Sequence, residues 1–384
     1  MQHGITLEDI YNFDETGFAM GLVATAKVVT RAEMLGRPFL IQPGNREWVT
    51  SIECINSTGW VLPPCIIFKG KVHIEGWYQD MALPADWRIE ASGAVGTLLV
   101  DALLASSFTV SVVLRPSSKA TFPASVTVHR ANYDDLEALT TAFQGQDAVI
   151  SAVGTFDAAI QRTAIDAAAA VPSVRRFIPS EYGGDTSQPG PVSFARFPQA
   201  KREIVEYLDS KEGITWTAIC TGSFINWLLE LENAAMGWDL SARKVSIFDS
   251  GNRPFVVSTL GQVTRAIISV LQHEEETKNA YVYVKSFEVT QTQLLGLIER
   301  LSGTKFEVKH LTTEEIAQRG VDHLEEGDYE HGYPEVVTAV AYGPWGFLGF
   351  GEQAEKWNGV LDLPKEDLEE TVRDILKKKG LLKE

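Results

Sequence analysis

The chain has 384 residues, 34 of them basic and 51 acidic, which gives a formal net charge of −17. This length predicts two or three domains, because one domain typically holds roughly 100–200 residues. Hydrophobic residues make up 45% and charged residues 22% of the chain, which indicates a packed globular protein rather than a disordered one. The excess of acidic residues disfavours binding to nucleic-acid phosphates, so we expect no nucleic-acid partner.

The sequence also excludes several cellular settings. No stretch reaches the ~20 consecutive apolar residues that a membrane-spanning helix requires, and residues 1–9 lack the basic and apolar segments of a signal peptide. The three cysteines, Cys54, Cys65 and Cys220, have neither the number of a disulfide framework nor the spacing of a metal site. We therefore expect a cytoplasmic protein with no membrane contact and no bound metal.

The first predicted segment covers residues 1–88. It is rich in tryptophan and turn residues, and it contains strand-like runs at residues 47–52 and 65–69. The character of the sequence then changes between Trp87 and Gly93. This change predicts a domain boundary near residue 88.

From Gly93 to Cys220, short β-branched runs alternate with alanine- and leucine-rich runs of helical periodicity. Such alternation is typical of βαβ units around a parallel sheet. The sequence therefore predicts an α/β fold with a Rossmann-type, doubly wound parallel sheet over residues 89–222. The predicted strands are 108–114, 126–128, 147–152, 176–179 and 215–220, and the predicted helices are 94–106, 134–144, 157–170 and 199–210.

After Gly222 the pattern is less regular. Strands are predicted at 244–248 and 280–284, helices at 291–301 and 365–379, and a solvated acidic loop at 325–330. Residues 343–351 are dense in glycine and aromatics, which suggests a pocket wall or lid. We interpret residues 223–384 as a smaller substrate-binding region that partly returns to the sheet.

Residues 90–96 stand where a Rossmann-type phosphate turn belongs, directly before a helix. Gly93 would let the backbone approach a pyrophosphate, and Gly96 would let the helix pack closely on the sheet. Backbone amides at the start of the helix would hold the phosphate charge. The predicted cofactor-binding residues of this turn are Ser92, Gly93, Val95 and Gly96.

The next two loops indicate which cofactor binds. Arg115 directly follows the predicted strand 108–114, and Lys119 comes shortly after it, where an enzyme that uses NAD would carry an acidic residue. Basic side chains there favour the 2′-phosphate of NADP(H), and a solvated basic loop is the alternative. After the strand at 147–152, the small residues Ala152, Val153 and Gly154 would let the cofactor pass over the sheet. Phe156 would contact the nicotinamide or belong to the core.

The runs ASGAVG at 91–96, VLRP at 113–116, DAVIS at 147–151 and RRFIPSEYG at 175–183 resemble the NmrA-like, isoflavone reductase-like family of atypical short-chain dehydrogenases. The resemblance covers about residues 90–384. It implies that Lys201, on the helix after the last run, transfers a proton and contacts the nicotinamide ribose; helical periodicity alone favours a surface lysine. The predicted substrate pocket comprises Ser180, Glu181, Tyr182, Phe224 and Trp227, although Glu181 could equally fix its loop and the aromatic residues could be core.

The family turn has the pattern G-x-x-G-x-x-G, and its first glycine is replaced by Glu90. A carboxylate there would repel the pyrophosphate. The predicted function is NADPH-dependent reduction of a small organic substrate, of aromatic or polyketide type. The alternative is a non-catalytic regulator that senses NAD(P) and binds a protein partner.

Residues 5–90 resemble part of a DDE-type transposase domain of the pogo/Tc1-mariner group, which has an RNase H-like fold. The resemblance rests on the runs IYNFDETG at 10–17, GNRE at 44–47 and WVLPPCIIFK at 60–69. It implies that Asp14 matches the first of three acids that hold two catalytic metals. The other acids would lie beyond the point where the resemblance stops. This segment is therefore expected to be an incomplete and inactive fragment.

Overall fold

The computed structural model of the protein describes residues 11–20, 47–56, 61–68, 94–106, 108–118, 120–187, 195–230 and 235–383. The chain divides into two compact units, Met1–Ala91 and Ser92–Glu384. The described residues of the first unit form an antiparallel sheet of three strands, β1 (Tyr11–Met20), β2 (Glu47–Asn56) and β3 (Val61–Phe68), in that order. The strands predicted at 47–52 and 65–69 are confirmed as parts of β2 and β3, whereas β1 was not predicted.

The second unit alternates helices and strands through its first half. Its helices are α1 (Ala94–Ala105), α2 (Leu136–Phe143), α3 (Gln161–Ala170), α4 (Phe197–Asp209), α5 (Ile225–Glu230), α6 (Leu260–Gln272), α7 (Gln291–Ser302), α8 (Thr313–Glu325), α9 (Tyr329–Tyr342), α10 (Gly351–Val360) and α11 (Leu368–Lys378). Its strands are β4 (Ser111–Leu114), β5 (Thr127–Arg130), β6 (Ala148–Ile150), β7 (Arg176–Ile178), β8 (Thr215–Cys220), β9 (Ser223–Phe224), β10 (Trp238–Asp239), β11 (Lys244–Phe248), β12 (Phe255–Ser258), β13 (Ala280–Tyr283), β14 (Phe287–Val289) and β15 (Glu307–Leu311).

Parallel strands form the centre of this unit. The strands β13, β8, β7 and β6 pair in that order, and β4 pairs in parallel with β5. In a Rossmann-type sheet of strand order 3-2-1-4-5-6, the first strand lies between the strands equivalent to β4 and β6. The sequence assigns that place to residues 85–89, which fall outside the described residues.

Both faces of the parallel sheet are covered. Phe177 packs into a core with Leu139, Ile165 and Leu208, which lie on α2, α3 and α4. Its neighbour Ile178 packs into a second core, on the opposite face, with residues of α1 and α6. Successive side chains of a strand point to opposite faces, so β7 must be apolar at both positions. The predicted doubly wound α/β fold is confirmed.

The remaining strands form two small sheets, β14–β12–β9 and β10–β11–β15. Their core centres on Trp238, which is 0% exposed, and includes residues of α5, α7 and α11. Because β13 pairs with β8, the segment after residue 222 contributes a strand to the parallel sheet.

Two local predictions differ from the structure. The helix predicted at 157–170 is a 3₁₀ segment, Thr155–Ile160, followed by α3. The acidic loop predicted at 325–330 is reduced to residues 326–328, because Asp328 caps α9 by accepting a hydrogen bond from the amide of His331. None of the helices in the described residues is both long and apolar enough to cross a bilayer.

Candidate active site

Several predicted site residues follow the carboxyl ends of β6, β7 and β8. Parallel strands present these ends at one edge of the sheet, which is where ligands bind in open α/β folds. Ser180 joins two of the loops. Its hydroxyl donates to the carbonyl of Val153 at 2.8 Å, and its amide donates to Oε1 of Gln161 at 2.8 Å. The loops after β6 and β7 are therefore held together at this edge.

Lys201 lies on the buried face of α4. It is 7% exposed and shares this face with Ile204, Val205 and Leu208, at the spacing of a helical stripe. Its Nζ donates a hydrogen bond of 2.5 Å to the carbonyl oxygen of Glu181. Lys201 is therefore not a surface lysine, and the structure brings it together with the loop after β7.

Glu181 is 1% exposed, and its Oε1 accepts a hydrogen bond of 2.7 Å from the hydroxyl of Thr186. Burial raises the pKa of Glu181 to about 7, against the opposing effects of Lys201 and Thr186. Burial lowers the pKa of Lys201, and the nearby carboxylate of Glu181 opposes that shift. The free thiol of Cys220 is also buried, which raises its pKa. Three titratable groups thus share a dry environment at the sheet edge.

The aromatic residues of the predicted pocket differ in exposure. Phe224 is 6% exposed and its ring meets that of Trp227 edge to face, with centroids 5.1 Å apart, whereas Trp227 is 42% exposed. Tyr182 has a φ of 22°, and within the described residues its hydroxyl is buried without a hydrogen-bond partner. Burial raises the pKa of this hydroxyl.

The glycine- and aromatic-rich segment 343–351 lies against the loop after β7. A Cβ on Gly184 would stand 2.3 Å from the ring of Phe347, so this position requires glycine. The amide of Asp185 donates to the carbonyl of Phe347 at 2.8 Å. This contact with the loop after β7 is compatible with the prediction that residues 343–351 form a pocket wall.

The residues predicted to hold the cofactor are more exposed. Within α1 itself, no acidic residue lies in the first helical turn. Among described atoms, a Cβ on Gly96 would meet nothing within 4 Å, so this part of the chain shows no close packing at that glycine. Ala152 and Gly154 are exposed. Ser92, Gly93 and Lys119, and the side chains of Val95 and Phe156, lie outside the described residues.

Arg115 follows β4, and a second arginine fixes its loop. Arg130, at the end of β5, donates to the carbonyls of Arg115, Pro116 and Ser118, at 3.4, 3.3 and 2.6 Å. Two arginines, Arg115 and Arg130, therefore lie together at this part of the sheet edge. An open backbone, a helix amino end and basic side chains fit the phosphates and diphosphate of a dinucleotide.

Sequence reasoning missed several residues of this edge, namely Arg130, Gln161, Asp185, Thr186 and Cys220. Asp185 and Thr186 follow the RRFIPSEYG run directly, so extending that run would have found them. Gln161 had no such signal, because only the fold brings it to Ser180. No group of three or more histidine, cysteine or acidic side chains in the described residues is arranged to hold a metal.

Two family models match the sequence. The NmrA-like family model matches residues 89–335. A DDE superfamily endonuclease model matches residues 45–122, so the two ranges overlap and Asp14 lies outside the second.

Individual relatives agree with the first model. The chain is 35% identical to oxidoreductase aprR of Aspergillus flavus over 299 residues, which cover 75% of this chain and 97% of that protein. It is 32% identical to oxidoreductase poxI of Penicillium oxalicum over 241 residues, 62% of this chain and 76% of that one. A leucoanthocyanidin reductase–NADPH complex from Vitis vinifera has a similar fold, with a TM-score of 0.59 and 18% identity, over 74% of this chain and 97% of the other.

Proposed function

Because the chain belongs to the NmrA-like family, we propose that it is an NADPH-dependent oxidoreductase that reduces a small organic molecule of aromatic or polyketide type. Two relatives named oxidoreductases support the reaction class. The observation that carries the proposal is the burial of Lys201 at the sheet edge, with its ammonium group fixed on the carbonyl oxygen of Glu181.

Lys201 would move the proton that accompanies reduction. A general acid or base works best when its pKa lies near the working pH, and burial lowers the pKa of Lys201 in that direction. Three donors on Nζ leave two hydrogens beyond the one directed at Glu181, so one can face a substrate oxygen. Glu181, Tyr182 and Ser180, with Phe224 and Trp227, would line the pocket around that oxygen.

NADPH would supply the hydride when bound. The amino end of α1, with Ser92, Gly93, Val95 and Gly96, would hold the diphosphate. Arg115 and Lys119 would hold the 2′-phosphate, and Arg130 would keep that loop in place. Ala152, Val153, Gly154 and Phe156 would lie along the nicotinamide half.

The first experiment separates cofactor binding from turnover. NADPH binding is measured by its fluorescence, and oxidation by loss of its absorbance with a panel of small aromatic and polyketide carbonyls, enones and benzylic ethers. Lys201→Met is expected to retain NADPH binding and to lose about 10²–10⁴-fold in kcat. Lys278→Met removes an exposed lysine and is the matched control. Undiminished turnover in Lys201→Met would remove Lys201 from the mechanism.

A second function, that of a non-catalytic NAD(P)-sensing regulator, is favoured by Glu90 in the phosphate turn. In that case NADPH or NADH would bind, no compound of the panel would be reduced, and a protein partner would respond to the bound cofactor.

The proposal also includes a domain assignment. Residues 1–88 would be an inactive transposase-derived fragment, residues 89–222 the cofactor domain, and residues 223–384 the substrate region. Asp14 alone cannot organise two metals, so we expect no strand-transfer activity.

A further inference from the structure

The loop after β7 is fixed on both sides of Glu181. The amide of Glu181 donates to the carbonyl of Pro179 at 2.8 Å, and the carbonyl of Gly183 accepts the amides of Thr221 and Gly222, each at 2.9 Å. Between these bonds the backbone passes through Tyr182 at a φ of 22°. These backbone hydrogen bonds therefore fix the direction of the Glu181 carbonyl.

Glu181 uses two different atoms for two different partners. Its backbone carbonyl accepts from Nζ of Lys201, and its carboxylate accepts from the hydroxyl of Thr186. The same residue thus orients the ammonium group through its backbone and carries a second buried polar group, its carboxylate, on the same loop. Gly183 adds no side chain to this space, since a Cβ there would stand 3.8 Å from Nζ of Lys201.

A buried ammonium group requires a compensating charge or loses its proton. The groups with an electrostatic effect on Lys201 are the Glu181 carboxylate and the Cys220 thiol, and burial raises the pKa of that thiol well above its usual value. Asp185 acts on Glu181 and disfavours its ionised form. Glu181 is therefore the group whose negative charge, present once its carboxyl ionises at about pH 7 and above, favours the protonated state of Lys201.

We propose that Glu181 is the positioning residue of Lys201, with its carbonyl oxygen aiming the ammonium group and its carboxylate keeping that group protonated. The inference rests on the proposed catalytic role of Lys201 for its consequence in turnover, but the effect on protonation does not depend on that role. Thr186 contributes to the same arrangement, because its hydroxyl donates a hydrogen bond to the Glu181 carboxylate and stabilises its ionised form.

The test follows the protonation of Lys201 directly. The full-length protein is prepared with lysine labelled with ¹³C at the ε carbon, whose chemical shift changes when the amine loses its proton, and Lys201→Arg identifies the signal. In Glu181→Gln the midpoint of the Lys201 titration is expected to fall by about one unit or more. An unchanged midpoint in Glu181→Gln would overturn the proposal.

Thr186 provides a milder pair of variants that keeps the test valid if Glu181→Gln does not fold. Thr186→Val removes the hydroxyl at nearly constant volume and is expected to lower the same midpoint by a smaller amount. Thr186→Ser keeps the donor and is expected to retain the wild-type midpoint. Equal midpoints in Thr186→Val and Thr186→Ser would contradict the role of the carboxylate.

Kinetic measurements then test whether the positioning of Lys201 by Glu181 affects turnover. With NADPH and a substrate from the panel, the limb of the kcat profile that reports Lys201 is expected to move to lower pH in Glu181→Gln, and Glu181→Asp is expected to restore part of the shift. If the midpoint moves while Lys201→Met still turns over, the proposed function fails and the positioning role stands. If Lys201→Met is inactive while the midpoint stays, the positioning role fails alone.

Discussion

Two buried cations lie at opposite edges of the parallel sheet. Arg176 begins β7, at the amino edge, and is 5% exposed, and Lys201 lies at the carboxyl edge and is 7% exposed. The guanidinium of Arg176 donates to the hydroxyls of Thr215, Thr217 and Thr277, at 2.9, 2.6 and 3.0 Å, and to the carbonyl of Glu274 at 2.6 Å. Lys201 donates to one carbonyl oxygen within the described residues.

Under the proposed function, this difference separates a structural cation, Arg176, from a reactive one, Lys201. An arginine stays charged at any accessible pH, and Arg176 donates to acceptors on β8 and on the segment before β13. Burial lowers the pKa of Lys201, and a lysine can lose its proton where an arginine cannot. Similar burial is therefore expected to serve stability at Arg176 and proton transfer at Lys201.

The largest predicted effect is on the structural edge. Arg176→Met leaves the Thr277 hydroxyl and the Glu274 carbonyl without this donor, and we expect a loss of about 2–4 kcal/mol in the free energy of unfolding. The measurement is urea denaturation. Arg175→Met is the matched control, because its side chain is 63% exposed and its ion pairs with Asp147 and Glu274 are 3.6 and 3.7 Å long. It should cost less than about 1 kcal/mol. Equal losses in both variants would show that Arg176 does not clamp the strands.

Strand bounds could be predicted from the sequence, whereas the hydrogen-bond partners of Arg176 at the amino edge could not. β8 and β11 have the predicted bounds, since short runs rich in β-branched and aromatic residues are strong strand signals. Arg176 was read only as part of a motif, because its partner Thr277 is 101 residues away in the chain. Contacts across such separations depend on the strand order, which local patterns do not specify.

At the carboxyl edge, the position of the motif residues after a strand could be predicted from the sequence, and for a physical reason. The RRFIPSEYG run places Ser180, Glu181 and Tyr182 after a strand, and strand ends in parallel sheets converge. The burial of Lys201 was not predicted from helical periodicity, which favours a surface lysine, although its spacing to Ile204, Val205 and Leu208 places it on the buried stripe of α4. The roles of Thr186 and Gln161 could not be predicted, because a side-chain hydrogen bond depends on loop geometry and not on residue type.

The second prediction concerns the pH dependence of stability. Folding raises the pKa of Glu181 from 4.5 to about 7, so the folded protein holds this proton more tightly than the unfolded chain. Its contribution to stability is present at low pH and is lost as the pH rises through about 7. Glu181→Gln should therefore gain stability relative to the wild type between about pH 5 and about pH 7, by a few kcal/mol.

Urea denaturation at the two pH values measures this gain. Glu203→Gln, on an exposed position of α4, is the control and should show no such pH-dependent difference. If the free energies of unfolding of Glu181→Gln and the wild type changed equally with pH, burial would not raise the pKa of the Glu181 carboxyl.

The third prediction tests the more exposed part of the carboxyl edge, where the proposed cofactor site lies. Arg115→Ala is expected to weaken NADPH binding about tenfold or more, because a charge-assisted contact to the 2′-phosphate is lost. NADH lacks that phosphate, so its Kd should stay nearly constant. Arg300→Ala, whose side chain pairs with Glu369, is the control. Equal losses for both cofactors would assign Arg115 to the loop rather than to the 2′-phosphate.

The smallest predicted effect concerns Glu90, which the sequence places in the proposed phosphate turn. Glu90→Gly removes both the charge and the side chain, and we expect NADPH to bind about threefold to tenfold more tightly, which corresponds to about 1 kcal/mol. Glu90→Gln removes the charge alone and separates the two causes, because repulsion predicts that it recovers most of the gain and steric crowding predicts little. Fluorescence titration at low and high salt adds a second criterion, since repulsion between charges weakens with ionic strength. An affinity that is the same in all three proteins would show that the carboxylate points away from the diphosphate, and the turn would then resemble the family pattern in function despite its sequence.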